Sequence, residues 1–256
     1  MKSVVEISEI QSNKQIAAGF YDLRVHAPDI VDLAVPGQFV HIRCGERPLR
    51  RPISICGLDK QEGILRMVYE VRGEGTEWMS QRGSGETLDI LGPLGQGFKL
   101  ADNHKRVVVV GGGLGVPPLI PVAQQAGKST VAVLGFRAES AAILLDDFAD
   151  VCGSVMLSSN DGTLGRKGFV TDDVRALCER GEVDLICACG PTPMLKAVAE
   201  VAAEYGVDAQ VSLEQRMGCG IGACLVCSCK ADMGAGETYA QVCRNGPVFK
   251  AEEVVW

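Results

Sequence analysis

The spacing of apolar residues changes character along this chain. Up to about residue 100 it runs in short strand-like stretches, at Val4–Ile10, Tyr21–His26, Gln38–Cys44, Ile53–Leu58, Leu65–Val71 and Thr87–Leu91. Pro28-Asp29, Pro36-Gly37 and Gly83-Ser84-Gly85 punctuate them. Six short strands at this spacing predict a small antiparallel β-barrel. From Lys105 the rhythm becomes strand, helix, strand. Val107–Val110 is wholly apolar, as expected of a parallel strand covered on both faces. Strands follow at Thr130–Phe136, Val155–Ser158, Asp184–Cys189 and Ala209–Leu213. Helices are predicted at Leu119–Gln125, Ala141–Phe148, Thr171–Leu177 and Pro193–Tyr205. That alternation predicts a doubly wound α/β domain. After Ser212 both periods fade and cysteines take over. The expectation is therefore multidomain: a barrel over 1–100, an α/β nucleotide-binding domain over 101–211 and a small cysteine-rich subdomain over 212–256.

Composition narrows the function. The 256 residues are 46% hydrophobic and 22% charged, as in an ordinary globular protein. A net charge of −7 argues against nucleic-acid binding, and 5% aromatics argues against a base-stacking platform. No apolar run approaches the ~18 residues of a membrane span. Met1-Lys-Ser-Val-Val opens on strand-like alternation rather than an apolar leader. The expected location is the cytoplasm, where a cysteine cluster means metal or catalysis more often than disulfides.

The cysteines carry the strongest signal. Cys219, Cys224, Cys227 and Cys243 read C-x4-C-x2-C-x15-C, the plant-type rhythm of a [2Fe–2S] cluster. Gly218, Gly220 and Gly222 let the loop fold tightly. A structural zinc site or buried cysteines are the alternatives, but zinc usually takes two separated Cys/His pairs. Cys229 is a spare thiol ranked below these four.

Three weaker patterns accompany them. Arg50-Arg51-Pro52-Ile53-Ser54 offers a guanidinium fork for a phosphate, or an ordinary solvated strand edge. Gly73-Glu74-Gly75-Thr76 reads as a turn opening a short helix capped by Thr76 without a capping box, fit for an anion or for nothing more than a cap. Gly111-Gly-Gly113-Leu-Gly115-Val-Pro117-Pro118 sits between strand and helix, as a dinucleotide site requires, although Pro118 replaces the third glycine. Asp161, Cys189 and Gly190 fall at the carboxyl ends of later strands, where ligands of such sheets bind. Arg137 ends the second strand where an NAD-specific acid often lies, so these residues leave NAD against NADP open. All three histidines lie in the first 104 residues, which argues against a Cys189–His nucleophile pair.

Arg51-Pro52-Ile53-Ser54 and Gly75-Thr76, ahead of a nucleotide domain, resemble the flavin site of the ferredoxin-reductase-like family. That resemblance makes Arg51, Pro52, Ile53, Ser54, Val68, Tyr69, Glu70, Gly75 and Thr76 FAD contacts, with Ser54 near the reactive ring as the candidate catalytic residue. Relatives often carry a basic residue at the place of Glu70, so its backbone is the part expected to serve. Cys189-Gly-Pro-Thr-Pro-Met-Leu-Lys196, Ser212-Leu-Glu-Gln-Arg-Met-Gly-Cys-Gly-Ile-Gly-Ala-Cys224 and Val242-Cys-Arg-Asn-Gly-Pro-Val-Phe249 narrow it further. Over the full length the chain resembles the electron-transfer subunits of type B dihydroorotate dehydrogenase. The resemblance implies electron flow from an FMN-containing catalytic subunit through the [2Fe–2S] cluster and FAD to NAD+, in pyrimidine (UMP) synthesis. It also implies a heterotetramer of two subunits of each kind. The competing expectation is the flavin/iron–sulfur subunit of an NADH-dependent ferredoxin:NADP oxidoreductase or a sulfide dehydrogenase.

Overall fold

The computed structural model describes residues 2–234 and 236–256; the part of the amino-terminal reading that falls on Met1 lies outside them. Six strands close a barrel in the order β1 (Val4–Ala17), β2 (Phe20–His26), β5 (Ile64–Glu70), β4 (Arg51–Asp59), β3 (Phe39–Ile42), β6 (Thr87–Leu94). Every neighbouring pair is antiparallel. Strand β1 runs well past the expected Ile10 because it changes partner. Its first half pairs with β6 and its second half with β2, with irregularities near Ile10 and Gln15. A short helix α1 (Pro28–Leu33) stands where Pro28-Asp29 reads as a break. Pro opens a helix well because its missing N–H would be unpaired there, and Ile30 and Val31 then reach the core. Alternate barrel residues, among them Ile10, Leu23, Val40, Ile53, Met67 and Tyr69, fill the interior.

The second half is a seven-stranded sheet in the order β10 (Arg166–Lys167), β9 (Ser154–Ser159), β8 (Val131–Phe136), β7 (Val107–Gly112), β11 (Leu185–Cys189), β12 (Asp208–Ser212), β15 (Val248–Lys250). All pairs are parallel except β12–β15, so the segment after the cysteines returns as an antiparallel edge. Strand β7 shows why the sheet is double-wound. Val107 and Val109 pack on one side with Leu119, Val122 and Phe148, and Val108 and Val110 on the other with Val174, Leu177 and Val198. The covering helices are α3 (Ile120–Ala126), α4 (Leu145–Val151), α5 (Val170–Glu179) and α6 (Thr192–Tyr205). The expected Ala141–Phe148 helix starts late. Glu139–Ala141 forms one 3-10 turn and Leu144 sits at φ 61°, so a regular helix begins only at Leu145.

The remaining hairpin, β13 (Ser228–Asp232) and β14 (Glu237–Gln241), has too few residues for a core of its own. It borrows one: Phe39 and Leu94 of the barrel pack with Cys227, Ala231, Ala240, Val242, Cys243 and Phe249. Among the described residues no helix is long and apolar enough to cross a membrane.

Candidate cofactor and cluster sites

Strand order places the sheet's crevice. The chain moves outward from β7 to β8 and β9 on one side, then crosses to β11 and β12 on the other. Ligands of open α/β sheets bind at such a reversal, beyond the carboxyl ends of the strands. Here those ends are Gly111–Gly115, where β7 gives way to a turn, and Cys189–Gly190, where β11 ends. The two turns press together. A Cβ on Gly115 would collide with the Cys189 carbonyl, and one on Gly112 would come within 2.6 Å of Met194 Sδ. Gly113 has φ 54°, with nothing within 4 Å of the position a Cβ would take. It is therefore the open face of the turn. Asp161 lies exposed on the loop after β9, accepting from Thr163 N at 3.0 Å and Thr163 Oγ1 at 2.7 Å. Those donors hold its carboxyl below the usual range. Burial pushes the Cys189 thiol up to about 12, so it is a neutral wall group rather than a nucleophile.

A cleft of about 800 Å³ joins the three parts of the chain. It is lined by Leu49, Arg51 and Pro52 from the barrel, Gly190 and Thr192 at the start of α6, and Arg216 ahead of the cysteines, among others. That volume suits a large cofactor. Arg50 and Arg51 divide the work at its edge. Arg50 is spent on structure, its fork reaching Asp89 Oδ1 and Oδ2 at 2.8 and 2.9 Å. Among the described residues Arg51 has no carboxylate partner, and its Nη1 donates to the backbone carbonyls of Leu49 and Arg50. It lies across the start of α2 (Glu74–Ser80), where a Cβ on Gly75 would collide with its Nε.

Thr76 is not the cap residue of α2, as the sequence suggests. Gly73 is the cap, and Thr76 stands at the third helical position. Its Oγ1 accepts from Arg72 N at 2.9 Å and Gly73 N at 3.3 Å, so the hydroxyl folds the turn back on itself. Glu70 is engaged by Arg72 Nε at 2.6 Å, which masks its charge.

Not every candidate side chain faces the cleft. Ser54 is half-buried on β4 opposite Phe39 of β3. Ile53 and Tyr69 point into the barrel, which leaves their backbone for a ligand. Val68 packs against the sheet side, in the cluster that holds Val116 and Leu119. Arg72, Gln215 and Arg216 also line the cleft and were missed from sequence. Arg216, basic and next to the glycine-cysteine loop, was the available signal.

The four cysteines converge as two pairs. Cys219 N–H points at Cys224 Sγ at 3.4 Å, and Ala223 N–H at Cys219 Sγ at 3.2 Å. Cys243 N–H points at Cys227 Sγ at 3.4 Å. Among the described residues no three metal-binding side chains gather around a single ion. Two thiols for each of two irons is the demand of a binuclear cluster, and the donor set meets it. Backbone donors aimed at sulfur also suit an anionic centre. Burial opposes ionisation of Cys219, but N–H groups of Ile221, Cys224 and Ala223 outweigh it and bring the thiol down to about 6. Cys229 belongs to neither pair; it lies in β13 opposite Ala240. Cys227 and Cys243 are buried whereas Cys224 is exposed, beside Leu225 at 66% and Val226 at 56% exposure.

The loop rests on the barrel. Gly220 sits against His41 of β3, a buried residue whose ring is held neutral, its pKa lowered to about 4 by burial and by Arg50 and Arg51. The sequence reading gave His41 no role. A histidine in an apolar strand two residues after Phe39 was the signal available.

A flavin-reductase barrel, a dinucleotide-type sheet and a paired-cysteine loop in one chain define a reductase-like electron-transfer protein. Residues 214–255 match the iron–sulfur cluster binding domain of dihydroorotate dehydrogenase B. The electron transfer subunit of dihydroorotate dehydrogenase B (NAD(+)) from Geobacillus kaustophilus (strain HTA426) is 41% identical over 254 residues, covering 96% of each chain. The subunit of the same name from Caldanaerobacter subterraneus subsp. tengcongensis is 41% identical, over 97% of this chain and 98% of its own. Among solved structures, an NADH-dependent reduced ferredoxin-NADP oxidoreductase superposes with TM-score 0.87 at 34% identity, over 98% of this chain and 90% of its own. The cytochrome b5 reductase domain of Ulva prolifera nitrate reductase shares the fold, with TM-score 0.63 at 17% identity over 79% of this chain and 94% of its own. The chain belongs to the family of electron transfer subunits of dihydroorotate dehydrogenase B (NAD(+)), and it is an oxidoreductase subunit.

Proposed function

We propose that this chain carries electrons from an FMN-containing catalytic subunit, which oxidises dihydroorotate to orotate in cytoplasmic pyrimidine (UMP) synthesis, to NAD+. Its cofactors are FAD, a [2Fe–2S] cluster and NAD. The cluster supplies single-electron transfer, and the flavin joins that to the two-electron hydride step. Cys219, Cys224, Cys227 and Cys243 hold the cluster. Arg51 and the Gly75–Thr76 turn take the FAD phosphates, the backbone of Ile53, Val68, Tyr69 and Glu70 lines the flavin, and Pro52 and Ser54 border its ring. Gly113, Gly115, Asp161, Cys189 and Gly190 receive the nicotinamide nucleotide. The division of labour follows residues 1–100 for FAD, 101–211 for NAD and 212–256 for the cluster.

One observation carries the reading. The cysteine loop touches β3, and β3 pairs directly with the strand that bears Arg51–Ser54. Cluster and flavin residues are thus one strand apart. The exposed Ile221, Leu225 and Val226 around Cys224 give the catalytic subunit an apolar landing next to the outer sulfur pair. Two copies of each subunit complete the proposed assembly.

The test is a visible spectrum of the complex co-purified with this chain, taken anaerobically. Dihydroorotate should bleach flavin and cluster bands, and NAD+ should restore them. The likeness to the ferredoxin-NADP oxidoreductase supports a second reading, a subunit of that enzyme type. Bands indifferent to dihydroorotate but bleached by NADH would transfer the assignment there.

A further inference from the structure

His41, in the barrel wall beneath the cysteine loop, is a polar side chain that none of these assignments uses. His41 is 0% exposed, and neither Nδ1 nor Nε2 has a hydrogen-bond partner among the described residues. Burying a polar group without a partner costs stability. What the ring faces explains why it is kept. A Cβ on Gly220 would come within 2.6 Å of His41 Nδ1, so this edge of the ring lies against the backbone of the cysteine loop. Gly220 also has φ 73°, so glycine serves there both for the bend and for the approach. On the strand side, His41 stands opposite Pro52 and Phe39 opposite Ser54. His41 therefore touches the cysteine loop from the strand next to the flavin residues.

We propose that His41 is a positioning residue for electron transfer: its ring N–H, donated toward the Cys219–Gly220 segment, seats the cluster loop on the barrel and raises the cluster's reduction potential. The proposal rests on the four-cysteine assignment above. An imidazole ring carries at least one N–H, so a donor is on offer. A donor held beside an anionic centre favours the more negative, reduced form. Removing it lowers the potential, as for other hydrogen bonds around cluster sulfurs.

The test compares wild-type, His41→Leu and His41→Gln holoproteins by iron content and by redox titration followed through the EPR signal of the reduced cluster. All three should hold two irons per chain. In His41→Leu the oxidised-to-reduced ratio at a fixed potential should rise about tenfold, a fall of about 59 mV for one electron. His41→Gln, which keeps an N–H, should recover most of that shift. A loaded His41→Leu with unchanged potential and unchanged EPR line shape overturns the proposal and leaves His41 as packing. Should the Leu variant not fold, wild-type holoprotein labelled with 15N-histidine decides. A 15N coupling in the pulsed EPR of the reduced cluster is expected, and its absence overturns the proposal. A wild-type holoprotein with no cluster signal at all would instead sink the cysteine assignment itself.

Discussion

Arg50 and Arg51 are chain neighbours with different surroundings, and the difference separates stability from binding. Arg50 pairs with Asp89 through both carboxylate oxygens and also donates to the carbonyls of His41 and Asp89. Both side chains are about a quarter exposed, so the pair is partly screened. Arg50→Ala should therefore cost about 1–3 kcal/mol by denaturant melting of the flavin-free protein. Arg51→Ala should leave that melt within about 0.5 kcal/mol, since surface changes away from buried partners are usually that small. It should weaken FAD retention about tenfold or more, because a guanidinium–phosphate fork is a charge-assisted pair. Gly75→Ala provides a cross-check, since its Cβ displaces the Arg51 Nε without touching the charge. Equal FAD affinity in wild type and Arg51→Ala would remove Arg51 from the phosphate site.

At the scale of elements, the amino ends of β7 and β11 are tied by one carboxylate. Asp184 accepts from Lys105 N at 3.0 Å, Arg106 N at 2.9 Å and Arg106 Nε at 3.1 Å. These contacts bring its carboxyl from the usual 3.8 to about 2. A depressed folded-state pKa means stability that is present above the unfolded value and lost as pH falls through the folded one. The stability gap between wild type and Asp184→Asn should hence be constant above pH 3.8 and shrink as pH falls toward about 2. A gap independent of pH over that window would remove the carboxylate's charge from the account. The elements themselves were largely legible. β7 shows its four valines and the glycine turn behind them, and the cysteine rhythm shows its own chemistry. What stayed hidden was tertiary. Pro28-Asp29 punctuates a barrel on paper, yet Ile30 and Val31 make it a helix by reaching the core. Thr76 looks like a cap because it follows glycine, but the fold uses its hydroxyl one turn further in. His41 reads as one more strand residue until Gly220, 179 positions further along the chain, lands on it.

Across the whole molecule, the barrel and the sheet must keep a fixed relation for flavin and nucleotide to meet. Apolar packing of Val68 and Cys56 against Val116 and Leu119 supplies part of that. A charged clamp adds to it. Arg66 of β5 holds Asp22 of β2 at 2.8 Å and reaches across to Asp147 of α4 through Nη1. Arg66 and Asp22 are both barrel residues, so only Asp147 crosses to the sheet. All three side chains are less than a third exposed. Asp147→Ala leaves the Arg66–Asp22 pair intact and removes only the crossing. It should cost about 2 kcal/mol, below the cost of breaking a fully buried pair because water still reaches Asp147. The loss should be local. Amide exchange should quicken in α4 and along β9, and stay at wild-type rates in β1 and β2. If the two parts are held by apolar packing alone, exchange in Asp147→Ala will match wild type throughout. If the clamp sets their distance, NADH-driven flavin reduction will slow along with the faster exchange, while FAD content stays at the wild-type level.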